Sequence, residues 1–336
     1  MRRSCWLALV LVAGVVVPPS VAESIIELGP SDVIELRGQI AIPKMPVVSC
    51  VALDATGTML ATVGDDHKVR IWDARQGKLL RELAAHSDWV QSAVFSPNGE
   101  VLATAGQDRR VKLWVAARGE TVRTLDCDFG GISQLAFTPD GRILAVAGFE
   151  PVVRLFDGAT GEPLAVLEAP GEDVRALACS PDGTRLAAAG RNGRIRIWDL
   201  VAGRVLYDLE HHRRRVRALA YSSDGLQLAS AGDERSVLVW DTARGTLLAS
   251  LPPRPGVVMS LAFCGIDRLA AGASDNVIRV WDLATESERY RLVGHTGSVT
   301  TLAWESQAGM LISGSFDTTV RLWQLGHDAF GAVSRR

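Results

Sequence analysis

An all-β fold is the class this sequence predicts, and three observations predict it. First, an aromatic residue recurs at Trp72, Trp114, Phe156, Trp198, Trp240, Trp281 and Trp323, at intervals of 42, 42, 42, 42, 41 and 42 residues. A fixed period of this size marks a repeat architecture. Second, a tight-turn sequence stands upstream of most of these aromatics: DATG (54–57), SPNG (96–99), TPDG (138–141), SPDG (180–183) and SSDG (222–225). Asp or Asn before Gly bonds its own backbone, and Gly accepts the positive φ of such turns. Third, the stretches between are short and rich in Val, Leu and Thr, as in VQSAVF (90–95), VLATAG (101–106), VKLWV (111–115) and TVRTL (121–125). Such runs, bounded by Gly, Asp and Asn, are strands and are too short for helices. Four strands per period, seven times over, predict a seven-bladed β-propeller of four-stranded antiparallel blades.

Read in chain order, residues 1–22 precede the fold. MRR is a basic start, CWLALVLVAGVVV (5–17) is an apolar run, and PPSVA ends with Ser20 and Ala22 at the −3 and −1 positions of a cut before Glu23. These are the three regions of a secretory signal peptide. The run is too short for a membrane span, which needs about 20 residues. Export to the periplasm or the extracellular space, with cleavage after Ala22, is therefore expected. Residues 23–31 form a short N-terminal segment, 32–325 the propeller and 326–336 a C-terminal tail. No convincing fourth strand follows Trp323, whereas Val33–Arg37 precedes the first repeat in excess. Val33–Arg37 is thus expected to supply the outer strand of blade seven, paired with the strand around Val320–Trp323. That joins the chain ends and seals the ring. IAIPKMP (40–46) carries two prolines and reads as an ordered surface loop.

With these repeats in view, the chain resembles the WD40-repeat proteins over roughly residues 32–325. Seven copies in register carry the resemblance, with a Trp-Asp pair at Trp72, Trp198, Trp240 and Trp281; Val115 and Gln324 replace the Asp in two repeats. The family implies a disc with a central channel that serves as a platform for protein partners. It also implies four side chains that knit each blade: His before the first strand, Ser or Thr in the second, Asp in the following turn and Trp in the third. Carried across, blade two has His86, Thr104, Asp108 and Trp114, and blade seven has His295, Ser313, Asp317 and Trp323. Blade five has His212, Ser230, Glu234 and Trp240. Blade one has Thr62, Asp66 and Trp72, with Gln39 in the His position. Blades three, four and six carry Asp128, Pro170 and Arg254 in the His position and Val146, Ala188 and Ala271 in the hydroxyl position. Apolar packing is expected to hold those three blades, since it leaves no unpaired polar group. A His beside an Asp is thereby explained without catalysis. The basic residue two before most aromatics (Arg70, Lys112, Arg154, Arg196, Arg279, Arg321) is expected to pack its stem on the ring and keep its charge at the rim.

Charge and chemistry narrow the function. Lys and Arg number 36 against 38 acids, and losing Arg2 and Arg3 moves the balance from 36 − 38 = −2 to 34 − 38 = −4. Such a chain has no global pull toward nucleic acid. Arg supplies 32 of the 36 basic residues and Ala and Gly are plentiful, the compositional flavour of a GC-rich bacterium; with the leader, the chain is expected to be of a secreted bacterial type. Cys50, Cys127, Cys179 and Cys264 fall in four different blades without CxxC spacing, and read as buried free thiols. There is no P-loop, HExxH or GxSxG. The inner strands, from VSCVAL to VTTLAW, offer hydroxyls and two arginines but no acid or His for a channel-mouth enzyme. No catalytic residue, metal or cofactor is therefore assigned, and the alternatives are a propeller enzyme or a structural part of an envelope assembly that uses the rim. No membrane span is expected after signal removal, and the molecule is read as a monomer or part of a complex. The resemblance places the residues beside the turn acid, and those opening each inner strand, on one disc face. The candidate partner-binding residues there are Trp89, Gln107, Phe149, Arg175, Arg191, Arg215, Arg217 and Phe316. Asp65, Asp233 and Ser274 share the face, with Arg213 and Arg214 alongside. Arginines next to exposed aromatics suit an acidic protein or peptide partner. The bland alternative is a solvated surface neutralised by Asp173, Asp233 and Glu234.

Overall fold

The computed structural model describes residues 25–35, 46–127 and 130–325. Seven sheets follow the repeat order of the sequence, each built on consecutive antiparallel strands, and two of them gain a strand from the N-terminal part of the chain. Blade one runs Val48–Leu53, Met59–Gly64, Lys68–Asp73 and Lys78–Ala84 from inside to outside. Blades two to six repeat this order, ending on the outer strands Glu120–Asp126, Pro163–Glu168, Arg204–Glu210, Thr246–Leu251 and Ser287–Leu292. Blade seven supplies Val299–Glu305, Met310–Ser315 and Thr319–Gln324 from its own repeat.

The small side chains of the second strands set how closely the blades stack. Ala61, Ala103, Ala145, Ala187, Ala229 and Ala270 occupy one equivalent position and are all nearly inaccessible, with Ile312 in blade seven. Both faces of these strands are covered, so they are buried almost throughout and do not alternate, as in Met59–Gly64 and Met310–Ser315. The outer strands do alternate, as in Lys78–Ala84, because only one of their faces meets a neighbour. The core is accordingly seven clusters, mostly at the interfaces between successive blades. One holds Leu113, Leu125, Leu135, Leu144 and Phe156 between blades two and three.

The turns follow the sequence signal. Ser96, Thr138, Ser180 and Ser222 each accept a hydrogen bond on the side-chain oxygen from the amide five residues on, at 2.9 to 3.0 Å. Asp54 does the same for Met59 in blade one, at 2.7 Å. Gly141, at φ 73, shows why Gly closes these turns.

The ring closes as the excess strand predicts. Asp32–Glu35 pairs antiparallel with the third strand of blade seven, Val33 opposite Arg321 and Ile34 opposite Val320. Ile34 is buried in the cluster that joins blades seven and one. Pairing starts one residue earlier than expected; residues 36–37, Gln39, most of the 40–46 loop, Asp128, the tail 326–336 and the signal region lie outside the described residues.

One element was not foreseen. Ile26–Leu28, in the segment 23–31, pairs parallel with the outer strand of blade six and makes that blade five-stranded. Among the described residues, no helix is long and apolar enough to cross a membrane.

Candidate functional site

The blade network sits beneath the site and fixes it. In blade two the Trp114 indole N–H donates to Thr104 Oγ1 at 2.9 Å, and His86 Nε2 lies 2.9 Å from the same hydroxyl. His86 Nδ1 is 2.9 Å from the Asp108 carboxylate. The hydroxyl hydrogen therefore goes to Nε2, and Nδ1–H donates to the carboxylate. Blade seven repeats the chain through Trp323, Ser313, His295 and Asp317, with contacts of 2.7 to 2.8 Å. Blade five repeats it through Trp240, Ser230 and His212, and Glu234 reaches the ring in place of Asp. Burial pushes His86 and His212 below the ordinary imidazole range, against the pull of Asp108 and Glu234. Burial raises the Asp317 carboxyl, but hydrogen bonds from His295, Thr319 and the Thr296 amide outweigh it and hold the group well below the usual range.

The other blades answer the same need differently. Trp72 donates to Thr62 at 2.9 Å, while Asp66 takes Arg70 at 2.6 Å. Arg70 is fully buried between Asp66 and Glu82, so its charge is not at the rim as expected. Blades three and four are packed by apolar groups around Phe156 and Trp198, as expected. Blade six is not. Arg254, in the His position, lies over the Trp281 ring with its guanidinium carbon 4.8 Å from the centroid. It pairs at 3.0 Å with Glu288, whose side chain is 1% exposed. Arg291 at 2.9 Å and Arg279 at 3.8 Å complete a buried ionic cluster. The expectation of apolar packing in blade six is corrected accordingly: with Ala271 in place of the hydroxyl and Arg in place of His, the buried Arg279 and the partly exposed Arg254 share the buried Glu288 carboxylate.

Above this layer lies the channel mouth. In six blades the pairing of the two inner strands slips by one residue. The slip frees Ser49, Gln91, Ser133, Arg217, Met259 and Thr300 from the ladder. A bulge leaves its extra residue unpaired and re-aims its side chain. In blade four the inner strand begins only at Ala176, leaving Arg175 at the equivalent place. These seven side chains, one per blade, line a cavity of about 190 Å³ together with Trp89, Arg215 and Phe316. Sequence reasoning found the two arginines of this row and missed the rest. The same 42-residue step from Arg175 and Arg217 leads to Ser133, Gln91, Ser49 and Met259, and was the available signal.

The predicted residues divide. Trp89 is half-buried, and its indole N–H donates to Ser49 Oγ. Phe316 is 40% exposed at the edge of the mouth. Phe149 lies under Arg175, whose guanidinium carbon is 3.9 Å from the ring centroid. Gln107 lies close by. A Cβ at Gly131 would come within 2.8 Å of both the Gln107 amide oxygen and the Phe149 ring, which explains the Gly at that position. Arg175 pairs with buried Asp173 at 2.7 Å, and Arg191, at the outer margin, approaches the same carboxylate at 3.8 Å. Burial works to raise Asp173, yet the Arg175 hydrogen bond and the Arg191 amide hold it low. Arg217 pairs with Asp233. Glu234 does not neutralise an arginine; it serves His212. The Arg215 Nε is buried without a hydrogen-bond partner among the described residues. Asp65 accepts the Val47 amide at 2.8 Å and shapes the loop. The mouth is thus a ring of polar and aromatic groups with guanidinium charge concentrated on blades four and five.

The cysteines stand apart from it. All four described cysteines are free thiols, Cys127 and Cys264 buried and Cys50 and Cys179 half-buried. Burial pushes the Cys179 thiol up to about 12 and raises those of Cys50 and Cys264. Among the described residues no group of three or more His, Cys, Asp or Glu is placed to hold a metal ion.

A closed ring of seven blades with a knit core and one side chain from each blade at its mouth defines a β-propeller of the repeat type. Seven copies of the family model of the WD domain, G-beta repeat, match at residues 36–73, 77–115, 119–157, 161–199, 203–241, 245–282 and 286–324, and the chain belongs to the WD40 family. It is 41% identical over 58 residues to periodic tryptophan protein 2 homolog of Neurospora crassa, covering 17% of this chain and 6% of that protein. Over 64 residues it is 38% identical to ribosome biogenesis protein YTM1 of Eremothecium gossypii, covering 19% and 14%. Mitochondrial division protein 1 of Schizosaccharomyces pombe is 42% identical over 60 residues, covering 18% and 9%. The chain thus spans only 6% to 14% of the length of these relatives.

Proposed function

We propose that this protein is a non-catalytic interaction platform that acts outside the cytoplasm and binds a protein or peptide partner at the channel mouth. The carrying observation is the convergence there of Trp89, Phe316 and the Phe149–Arg175 stack with Arg215 and Arg217. Aromatic residues and arginines dominate binding energy at interfaces because they bury large area at fixed geometry. Family membership supports a scaffold role, and the relatives named for ribosome biogenesis and mitochondrial division fit that class. The partner is acidic in this reading. Asp173 and Asp233 already balance three of the mouth arginines, and Arg215, which lines the cavity beside them, is the group assigned to an incoming carboxylate. The exported location rests on the signal-like segment 1–22.

The test is cross-linking in the native cell, identification of the partner, and affinity measurement with purified variants. Trp89→Ala and Arg215→Glu should each weaken binding at least tenfold, an effect of about 1.4 kcal/mol or more. If both leave affinity unchanged while rim substitutions weaken it, the mouth is not the site. Sequencing of the exported protein should find Glu23 at its N-terminus.

A further inference from the structure

The rim of the disc carries a second surface, independent of the mouth. Between blades two and three runs a groove of about 510 Å³, lined among others by Arg123, Leu125, Arg154, Phe156, Leu164 and Val166. Comparison of the repeats shows why it exists. Phe156 is the one aromatic of its row that is not Trp. Val166 stands cross-strand from Arg154. In blades one and four the equivalent arginines face carboxylates, Arg70 opposite Glu82 and Arg196 opposite Asp208. Those pairs close over the blade at 2.9 and 2.7 Å. In blade three a smaller ring and a smaller, uncharged side chain line the groove, and the cross-strand acid is missing from that row, so Arg154 approaches Glu150, just before its own strand, at 3.5 Å instead. Among the described residues the outer strand Pro163–Glu168 pairs with one strand, Val152–Asp157, and nothing pairs with its other edge. Leu164 and Val166 on it are 53% and 62% exposed. An apolar edge with unused backbone donors and acceptors is a template for another strand.

Blade six shows what closes such an edge. There Ile26–Leu28 lies parallel to the outer strand, with Glu27 beside Arg291 and the two charges 3.6 Å apart. Arg291 is in turn cross-strand from Arg279. The row Arg279, Arg291, Glu27 of blade six therefore corresponds to Arg154, Val166 and an unfilled place in blade three.

We propose that the outer edge of blade three docks an extended segment of a partner protein with the pattern apolar–Glu–apolar, running parallel to Pro163–Glu168 as a fifth strand. The Glu sits beside Val166, crosses it with its stem and turns its carboxylate to Arg154 and Arg123. The flanking apolar residues cover the opposite face beside Ala165 and Leu167. Main-chain pairing supplies affinity, and the carboxylate fixes the register.

The experiment uses the full chain and a labelled peptide of sequence SIIELG, that of residues 24–29. Saturable binding is expected, with slowed amide exchange across 163–168. Val166→Glu, which supplies the acid from within as blades one and four do, should weaken binding at least tenfold, and so should Arg123→Glu at the exposed margin. A peptide with Lys in place of Glu should lose as much, while Trp89→Ala leaves binding unchanged. An unchanged melting temperature for Val166→Glu shows that the fold is kept; should that variant unfold, Arg123→Glu and the Lys peptide still decide. Absence of saturable binding overturns the proposal, as does binding insensitive to Arg123→Glu and to the Lys peptide. Protection across 287–292 in place of 163–168 means exchange with the chain's own strand. Dimerisation without peptide that Val166→Glu abolishes means that the occupant is a second copy.

Discussion

Blades seven and six stand side by side and solve one problem in two ways. Each must cover a buried Trp ring. Blade seven does it with a relay of hydrogen bonds that ends on a single carboxylate: Trp323 donates to Ser313, and His295 bridges Ser313 and Asp317. Blade six has Ala271 where the hydroxyl would be, and covers Trp281 with the Arg254 guanidinium. Charge enters the blade with that exchange: buried Glu288 and Arg279 and the partly exposed Arg254 and Arg291 gather in one cluster. The lesson is that repeats conserve a volume more strictly than a chemistry. The two chemistries differ in what their loss costs.

The largest effect belongs to the ionic blade. Glu288→Ala removes the buried anion shared by Arg254, Arg279 and Arg291, although Arg279 keeps Asp275 at 2.7 Å and the other two arginines are about one-third exposed. Removing one partner of a fully buried pair costs about 3–5 kcal/mol, so the loss here should fall at the lower end of that range, about 3 kcal/mol, which urea unfolding will read directly. The counterpart in blade seven is Ser313→Ala, which orphans the Trp323 N–H and the His295 Nε2 together. Unmade neutral hydrogen bonds in a core cost about 1–3 kcal/mol, so the loss should be clear but smaller. If Glu288→Ala proves the milder of the two, the ionic cluster is not the keystone of blade six.

The fold was legible because its signal is periodic. Seven aromatics in register and a turn before most of them outweigh any single irregular repeat. Asp32–Glu35 was legible for a related reason, a missing strand at one end and an excess one at the other. Ile26–Leu28 was not, since three residues carry no period and their partner strand belongs to a distant repeat. The Glu288 cluster was missed because Glu288 lies on an outer strand, outside the four positions that knit the other blades. An acid there signals nothing until Arg254 is seen to reach it. At the mouth, residue type pointed to arginine and Trp. Ser133, Gln91 and Met259 become site residues through the backbone bulge that turns them inward; residue type does not mark them, and only the 42-residue step from Arg175 and Arg217 does.

The smallest effect separates the blades by pH. His86 and His212 are neutral in the fold because burial disfavours the charged ring, and Nε2 is occupied by an incoming hydroxyl hydrogen. The unfolded chain has imidazoles that protonate near pH 6.5. Below that value the unfolded state binds protons that the folded blades refuse, so stability falls with pH. The contribution of these groups is fully present above about pH 6.5 and is lost as pH falls through the depressed folded values. Asp317 acts lower. Its stabilisation is present above the ordinary carboxylate range and is lost only as pH falls through its own, much lower value. Urea midpoints should therefore decline between pH 7 and 5, then decline again in stronger acid. A His86→Gln, His212→Gln double variant should flatten the first decline and keep the second. If the first decline persists unchanged in that variant, the neutral histidines of blades two and five do not set the acid response, and the contrast with the ionic blade loses its pH arm.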